Sequence, residues 1–436
     1  MSKLEKLLIE RAKEIQSELV RLRRDFHKHA ESGWTEFRTT SIIAEYLENL
    51  GYEILMGDEV LDEATMMGVP TVETLERHME RAKIQGAPIK YLERMVGGKT
   101  GVVAILDTKK PGPTIGLRFD IDANDLNEVQ NDNHRPYAEG FASINSEAMH
   151  ACGHDGHTAI GLGVAKLLME MKTSFSGIIK LIFQPAEEGV RGAASMVNKG
   201  IVDDVNILLG LHIGLVGKEN NLLVCGIGGF LATSKFDIIY RGTPAHAGAK
   251  PEEGKSALLA AAAATISLQG IYRHSSGASR INIGVLQAGT GRNVVPDYAI
   301  MKVETRGETS EINDFVKAEA VRIIEASAKM YDVEVEIKAA GGAMSGFSDK
   351  ELISVARQVG EKSQMFDTII DTADLGGSED FTYLMNHVQK AGGKSAYLAM
   401  GTEIAAGHHD SYFDFNEDVL SASVAMLLLM TKELET

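Results

Sequence analysis

At 436 residues, with 44% apolar and 24% charged side chains, the chain has the composition of a folded protein of about three units, or of one large and one small. The 61 acidic residues outweigh 44 basic ones and leave a formal charge of −17, a field that opposes nucleic acid as a partner. Two cysteines, Cys152 and Cys225, cannot make a disulfide framework and suit a reducing compartment.

In chain order, Leu4, Leu7, Leu8, Ile15, Leu19, Leu22 and Phe26 recur at helical spacing and predict one amphipathic helix covering a core. The first thirty residues alternate Lys, Glu and Arg without the apolar core of a secretory signal. After Gly51 a stretch to Gly98, rich in Met, Gly and mixed charge, has poor periodicity and reads as an insertion over 56–98, part helical. From residue 101 short β-rich runs (101–106, 114–121, 177–183, 206–212) are followed by helical patterns (158–171, 191–199). Such alternation predicts an α/β fold, a mixed central sheet with helices on both faces, in which ligands sit at the carboxyl ends of strands.

Between 233 and 338 the order is strand (234–241), helix (255–272), strand (281–287), strand (298–305), helix (311–329), strand (333–338), a ferredoxin-like α+β unit inserted into the first domain. The expected division is therefore 1–228, 229–341 and 342–436. A strand at 395–400 and a last helix, which Asn416 caps and whose Val419, Val424 and Leu427 to Leu429 pack inward, complete the pattern. The longest apolar runs, 257–266 and 424–430, fall short of the roughly 20 residues that span a bilayer, so neither a membrane nor nucleic acid is expected as a partner.

The densest chemical signal is His-Ala-Cys-Gly-His-Asp-Gly-His at 150–157, just before a helix. Imidazole and thiolate are ligands for zinc and similar ions, and a neighbouring carboxylate orients a ligating ring. Gln-Pro-Ala-Glu-Glu-Gly at 184–189 follows a strand and offers two carboxylates in different directions, one for metal and one for a proton from water. His212 closes an apolar run, where a core histidine is as common as a ligand, and His408 and His409 stand in a late loop. Asp120 and Asp122 end the run at 114–121 on alternating faces, where one faces a metal or holds a histidine tautomer. Together these are ligands enough for two divalent ions, roughly 3.5–4 Å apart in such sites.

These motifs, with Gly-Ser-Glu-Asp-Phe at 377–381, resemble in the same order the amidohydrolase branch of the co-catalytic metallopeptidases, which contains hippurate hydrolase, the indole-acetyl-amino-acid hydrolases and N-acyl-amino-acid deacylases. The resemblance runs from about Arg24 to the C-terminus. It implies Cys152, His154, Glu188, His212 and His409 as metal ligands, Glu187 as general base and supporting roles for Asp120 and Asp122, with Asp122 counted in the catalytic set. His246 resembles the histidine that reaches across a dimer to polarise the scissile carbonyl. Asn293 and Arg306 resemble the pair that holds the substrate carboxylate, a task suited to a bidentate guanidinium. The implied cofactors are two manganese or zinc ions.

The implied reaction is hydrolysis of an N-acyl amino acid in the cytoplasm, with p-aminobenzoyl-glutamate expected as substrate. A hippurate-like, indole-conjugate or dipeptide substrate, or an inactive metal-binding partner chain, is the alternative. The implied assembly is a homodimer, or a heterodimer with a homologous second chain, and the resemblance implies a lid or dimerisation role for the middle segment, 229–341. Two departures from the branch stand near the presumed acyl pocket: Asp122-Ala123-Asn124-Asp125 replaces Asp-Ala-Leu-Pro, and the 56–98 insertion is absent from most of the branch.

Overall fold

A computed structural model describes residues 1–435. They divide into two compact units, one of residues 1–228, 347–375 and the segment from Asp380 on, the other of 229–346 with 376–379.

The larger unit is built on an eight-stranded mixed sheet in the spatial order Glu53–Met56, Val102–Asp107, Ile178–Gln184, Thr114–Asp120, Ile207–Ile213, Lys394–Gly401, Leu222–Val224, Thr368–Ile370. The four strands from Ile178–Gln184 to Lys394–Gly401 run parallel. They are almost wholly buried, as continuous apolar strands must be when helices cover both faces.

Helix His154–Glu170 lies on one face, and Gly161 sets its approach: a Cβ there would come within 2.6 Å of the Phe183 ring and 2.8 Å of the Phe119 ring. Helix Phe381–Lys390 lies on the other, where a Cβ on Gly210 would meet Tyr397 at 2.5 Å and Phe381 at 2.9 Å. The carboxyl ends of the four parallel strands therefore lie together, followed by Asp120 and Asp122, Glu187 and Glu188, His212, and the loop that bears His409.

Three details differ from the sequence pattern. The stripe from Leu4 to Phe26 makes two helices, Lys3–Glu14 and Gln16–Lys28, with Ile15 between them at φ −89°, ψ 4°, and Leu7 is exposed. The last helix, Val419–Glu433, starts after Asp418 and not Asn416, whose side chain accepts the Asp418 amide at 3.0 Å and so shapes the turn before the helix. The insertion holds one three-turn helix, Val72–Ile84, and short turns; the adjoining strand Glu53–Met56 and the helix Phe37–Leu50 have no counterpart in the elements read from the pattern.

The smaller unit pairs four antiparallel strands, Ala232–Arg241, Ser279–Ala288, Tyr298–Gly307 and Glu334–Ala343, in the spatial order fourth, first, third, second. With helices Ala257–Leu268 and Ser310–Met330 this is the ferredoxin-like βαββαβ arrangement. Phe236, Ile238, Tyr240, Met301 and Val303 pack on Ala260, Ala264, Val316 and Ile324 to form its core. The unit reaches Gly346 and not residue 341, because its last strand runs on past Lys338 to Ala343 through a bulge between Ala339 and Gly341.

Candidate metal centre

Gly153, at φ 94°, turns the chain from Cys152 into helix His154–Glu170, so the thiol and the first helical imidazole are presented side by side. His154 Nδ1 lies 2.9 Å from the carbonyl oxygen of Asp122 and donates to it, leaving Nε2 buried and without a hydrogen-bond partner among the described residues. His212 repeats the device: Nδ1 donates to the Ile213 carbonyl at 2.9 Å, and Nε2 stands 3.4 Å from the Cys152 sulfur. Fixing the proton on one ring nitrogen directs the lone pair of the other inward, as metal-binding histidines require.

The carboxylate of Asp122 accepts the backbone amides of Glu187 at 3.0 Å and Glu188 at 2.9 Å. The two glutamates sit in a loop with Ala186, Gly189 and Val190 all at left-handed φ, of 52°, 86° and 60°. That conformation persists only where surroundings over-determine it. Here Glu36 accepts the Ala186 amide at 2.8 Å, Asp380 accepts those of Gly192 and Ala193 at 3.0 and 2.9 Å, and Arg191 donates to the Glu188 carbonyl at 2.8 Å. Burial first, and the nearby Asp122 charge second, push the Glu36 carboxyl up to about 8.

His409 has φ 65° and donates its amide to the Ala151 carbonyl at 2.8 Å, which ties the late loop to the cysteine turn. Its Nε2 is 3.4 Å from Glu188 Oε1. The adjacent Cys152 and Glu188 raise it to about 10, while burial pushes the Cys152 thiol up and the His212 imidazole down. His408 points elsewhere, with its ring 5.3 Å from His212 and 4.8 Å from Phe413.

Possible ligand atoms thus gather, within 4.8 Å of one another, as Cys152, His154 and His212, as Cys152, Glu188 and His409, and as His154, Glu187 and Glu188. Cys152 belongs to two of these groups. Asp120, His154 and His157 form a further group, but His157 is already spent: Nδ1 donates to Asp120 at 2.5 Å and Nε2 accepts the Ile213 amide at 3.0 Å. Burial would raise Asp120, yet Arg118, His154 and His157 hold it well below the usual carboxylate range.

The chain belongs to the peptidase family M20/M25/M40. Its family model matches residues 116–433. Indole-3-acetyl-aspartic acid hydrolase of Enterobacter agglomerans is 49% identical over 97% of this chain and 97% of its own length. A p-aminobenzoyl-glutamate hydrolase chain of Escherichia coli K12 is 51% identical over 93% of each sequence. A solved aminobenzoyl-glutamate utilization protein of Klebsiella pneumoniae is 42% identical, with a TM-score of 0.86 over 99% of this chain and 98% of that one. The chain is accordingly a metal-dependent hydrolase of a family that binds dinuclear metal centres.

Several residues that build the centre went unread in the sequence. Glu36, Arg191 and Arg23 carry no signal beyond being polar in apolar surroundings, whereas Asp380 lay inside the Gly-Ser-Glu-Asp-Phe segment. Arg23 is fully buried and pairs with Asp155 at 2.7 Å, Asp414 at 2.8 Å and Glu417 at 3.2 Å. It joins the first turn of the His154 helix to the segment that follows His409. His27 bridges Asp155 and Glu128 at 2.8 and 2.9 Å.

The remaining three expected site residues lie in the smaller unit. His246 and Asn293 are neighbours there, through a bridge between His246 and Val294 and a bond from the Ala247 amide to the Asn293 carbonyl. His246 Nδ1 accepts the amides of Gly248 and Ala249 at 3.2 and 3.1 Å, which puts the ring proton on Nε2, a donor suited to a carbonyl oxygen. Arg306 stands in the sheet, held by Glu304 at 2.7 and 3.2 Å.

Proposed function

We propose that the chain hydrolyses the amide of an aromatic N-acyl amino acid, p-aminobenzoyl-glutamate above all, to the free acid and the amino acid. The observation that carries this reading is the pair of ligand groups sharing Cys152, beside a loop that brings the Glu187 and Glu188 carboxylates within 4.8 Å of each other and of His154. The fit to metal is chemical: the buried Nε2 of His154 has no hydrogen-bond partner among the described residues, an arrangement costly without a cation, and Glu188 Oε1 faces His409 Nε2 at 3.4 Å beside it.

Cys152, His154 and His212 would hold one ion and Cys152, Glu188 and His409 the other. Bound divalent ions supply Lewis acidity and lower the pKa of water. Thiolate and imidazole favour zinc, while carboxylate tolerates manganese. Glu187, which its backbone bond to Asp122 anchors, takes a proton from water and returns it to the leaving nitrogen. Asp122 orients both glutamates and, through its carbonyl, His154. His246 offers its Nε2 proton to the carbonyl oxygen, and Asn293 and Arg306 bind the carboxylate of the amino acid. A homodimer, or a pair with a homologous second chain, would supply His246 from its neighbour, and a cytoplasmic location suits the free thiol.

The test is turnover of p-aminobenzoyl-glutamate by the purified chain after loading with manganese or zinc. Release of p-aminobenzoate with either ion supports the reading. Its absence with both ions, and with a homologous second chain added, refutes it. The relative named for an indole-3-acetyl-aspartic acid conjugate favours a second acyl group, so that conjugate belongs in the same assay.

A further inference from the structure

The open face of the four-stranded sheet carries a feature that its stability does not explain. In the register between Tyr298–Gly307 and Ser279–Ala288, Arg306 stands directly opposite Arg280. Residues so paired share a face with Cβ atoms roughly 4.5–5.5 Å apart, and like charges placed there are destabilising. Burial confirms the facing: Ser279 is buried and Arg280 exposed on one strand, Thr305 buried and Arg306 partly exposed on the other. The next row across the same face brings Lys235, Glu304 and Asn282 into line. Glu304 chelates Arg306 with both oxygens, whereas Arg280 is held by the neutral carbonyl of Ser279 at 2.8 Å, which Arg273 also reaches at 3.1 Å. The row at Arg306 therefore carries two guanidinium charges, with one carboxylate drawn to only one of them.

We infer that Arg280 is a specificity-determining residue that binds the second carboxylate of a dicarboxylic amino acid in the leaving position, beside the first on Arg306. The inference rests on the proposed role of Arg306 and deepens it from amino acids in general to aspartate and glutamate. Those two carry carboxylates a few bonds apart, a span that two adjacent arginines of one sheet row match. The two relatives at 49% and 51% identity are named for conjugates of these same two amino acids. A guanidinium suits the task because its planar fork meets a carboxylate with two hydrogen bonds.

The experiment compares wild type with Arg280→Gln on p-aminobenzoyl-glutamate and on p-aminobenzoyl-glutamine, which differs by one neutralised carboxyl. Arg280 is exposed on an edge strand, so the variant should melt at the wild-type temperature or above it. The expected result is a loss of kcat/KM on the glutamate substrate on the order of 10- to 100-fold, the worth of a hydrogen bond to a charged group, with the glutamine substrate unaffected. An unchanged ratio between the two substrates overturns the inference, as does a wild type with no preference for glutamate. Glutarate binding, read by calorimetry, is the arm free of turnover. Weaker glutarate binding in the variant, in a chain that cleaves neither substrate, would uphold the inference and sink the proposed activity. Equal glutarate binding in an active enzyme would do the reverse.

Discussion

The buried pair of contacts made by His27 gives a pH dependence whose sign and size follow from the structure. Burial alone would lower its pKa, but hydrogen bonds to Asp155 and Glu128 override that and raise it to about 9 from 6.5. A histidine raised in this way is protonated in the folded chain while the unfolded chain has released the proton, so folding gains stability that is complete below pH 6.5 and is lost as pH rises through 9. At 1.36 kcal/mol per unit, the 2.5-unit difference is worth about 3 kcal/mol. His27 is fully buried, so solvent screening does not reduce the figure. His27→Gln keeps a polar side chain but cannot titrate. Urea unfolding of both proteins, followed by fluorescence of the single Trp34 at several pH values between about 6 and 10, should show the wild type losing about 3 kcal/mol more than the variant across that window. Parallel pH curves for the two proteins would refute the reasoning, because they would mean that His27 is neutral in the folded chain.

Glu187→Gln should retain bound metal yet lower kcat by a factor of about 10² to 10⁴, the usual worth of a general base; metal analysis beside steady-state kinetics checks both halves. Asp122→Asn leaves one oxygen where two now receive the amides of Glu187 and Glu188 at 3.0 and 2.9 Å, so it should cost about 1.5–3 kcal/mol of stability and weaken metal binding at Glu188, read by denaturation and by titration of the apo-protein. Gly161→Ala drives a methyl group into the rings of Phe119 and Phe183 and should destabilise by about 1–3 kcal/mol in a thermal melt, with kcat per folded molecule unchanged.

The parts legible in sequence are those with a strong local signature. Alternating apolar runs and helical stripes announce an α/β sheet, and the strand order of the smaller unit follows from its βαββαβ succession because that succession has a well-known closed packing. The cysteine–histidine run and the paired glutamates mark the centre by composition alone. What escapes is everything set by long-range closure. Ile15 reads as one more member of a stripe, yet it is where the first helix breaks. His157 belongs to the same motif as His154, and only the Asp120 and Ile213 bonds on its two nitrogens exclude it as a ligand. His408 and His409 are identical in residue type, and the resemblance alone singles out His409; the left-handed turn there sets its ring 3.4 Å from Glu188 while the His408 ring packs on Phe413. Arg23 and Glu36 look like surface residues until burial makes each the hub of a hydrogen-bonded network, since a charge in a helical pattern gives no sign of which carboxylates or amides will meet it 100 or more residues later.

Whether one sulfur serves two ions is measured most directly by titrating the apo-protein with zinc or manganese. Two ions should bind per chain, His212→Ala should abolish or weaken one of them, and Cys152→Ser should weaken both, because a serine oxygen is far harder to ionise than a thiol. Two ions bound with undiminished affinity by the Cys152→Ser variant would contradict a shared thiolate.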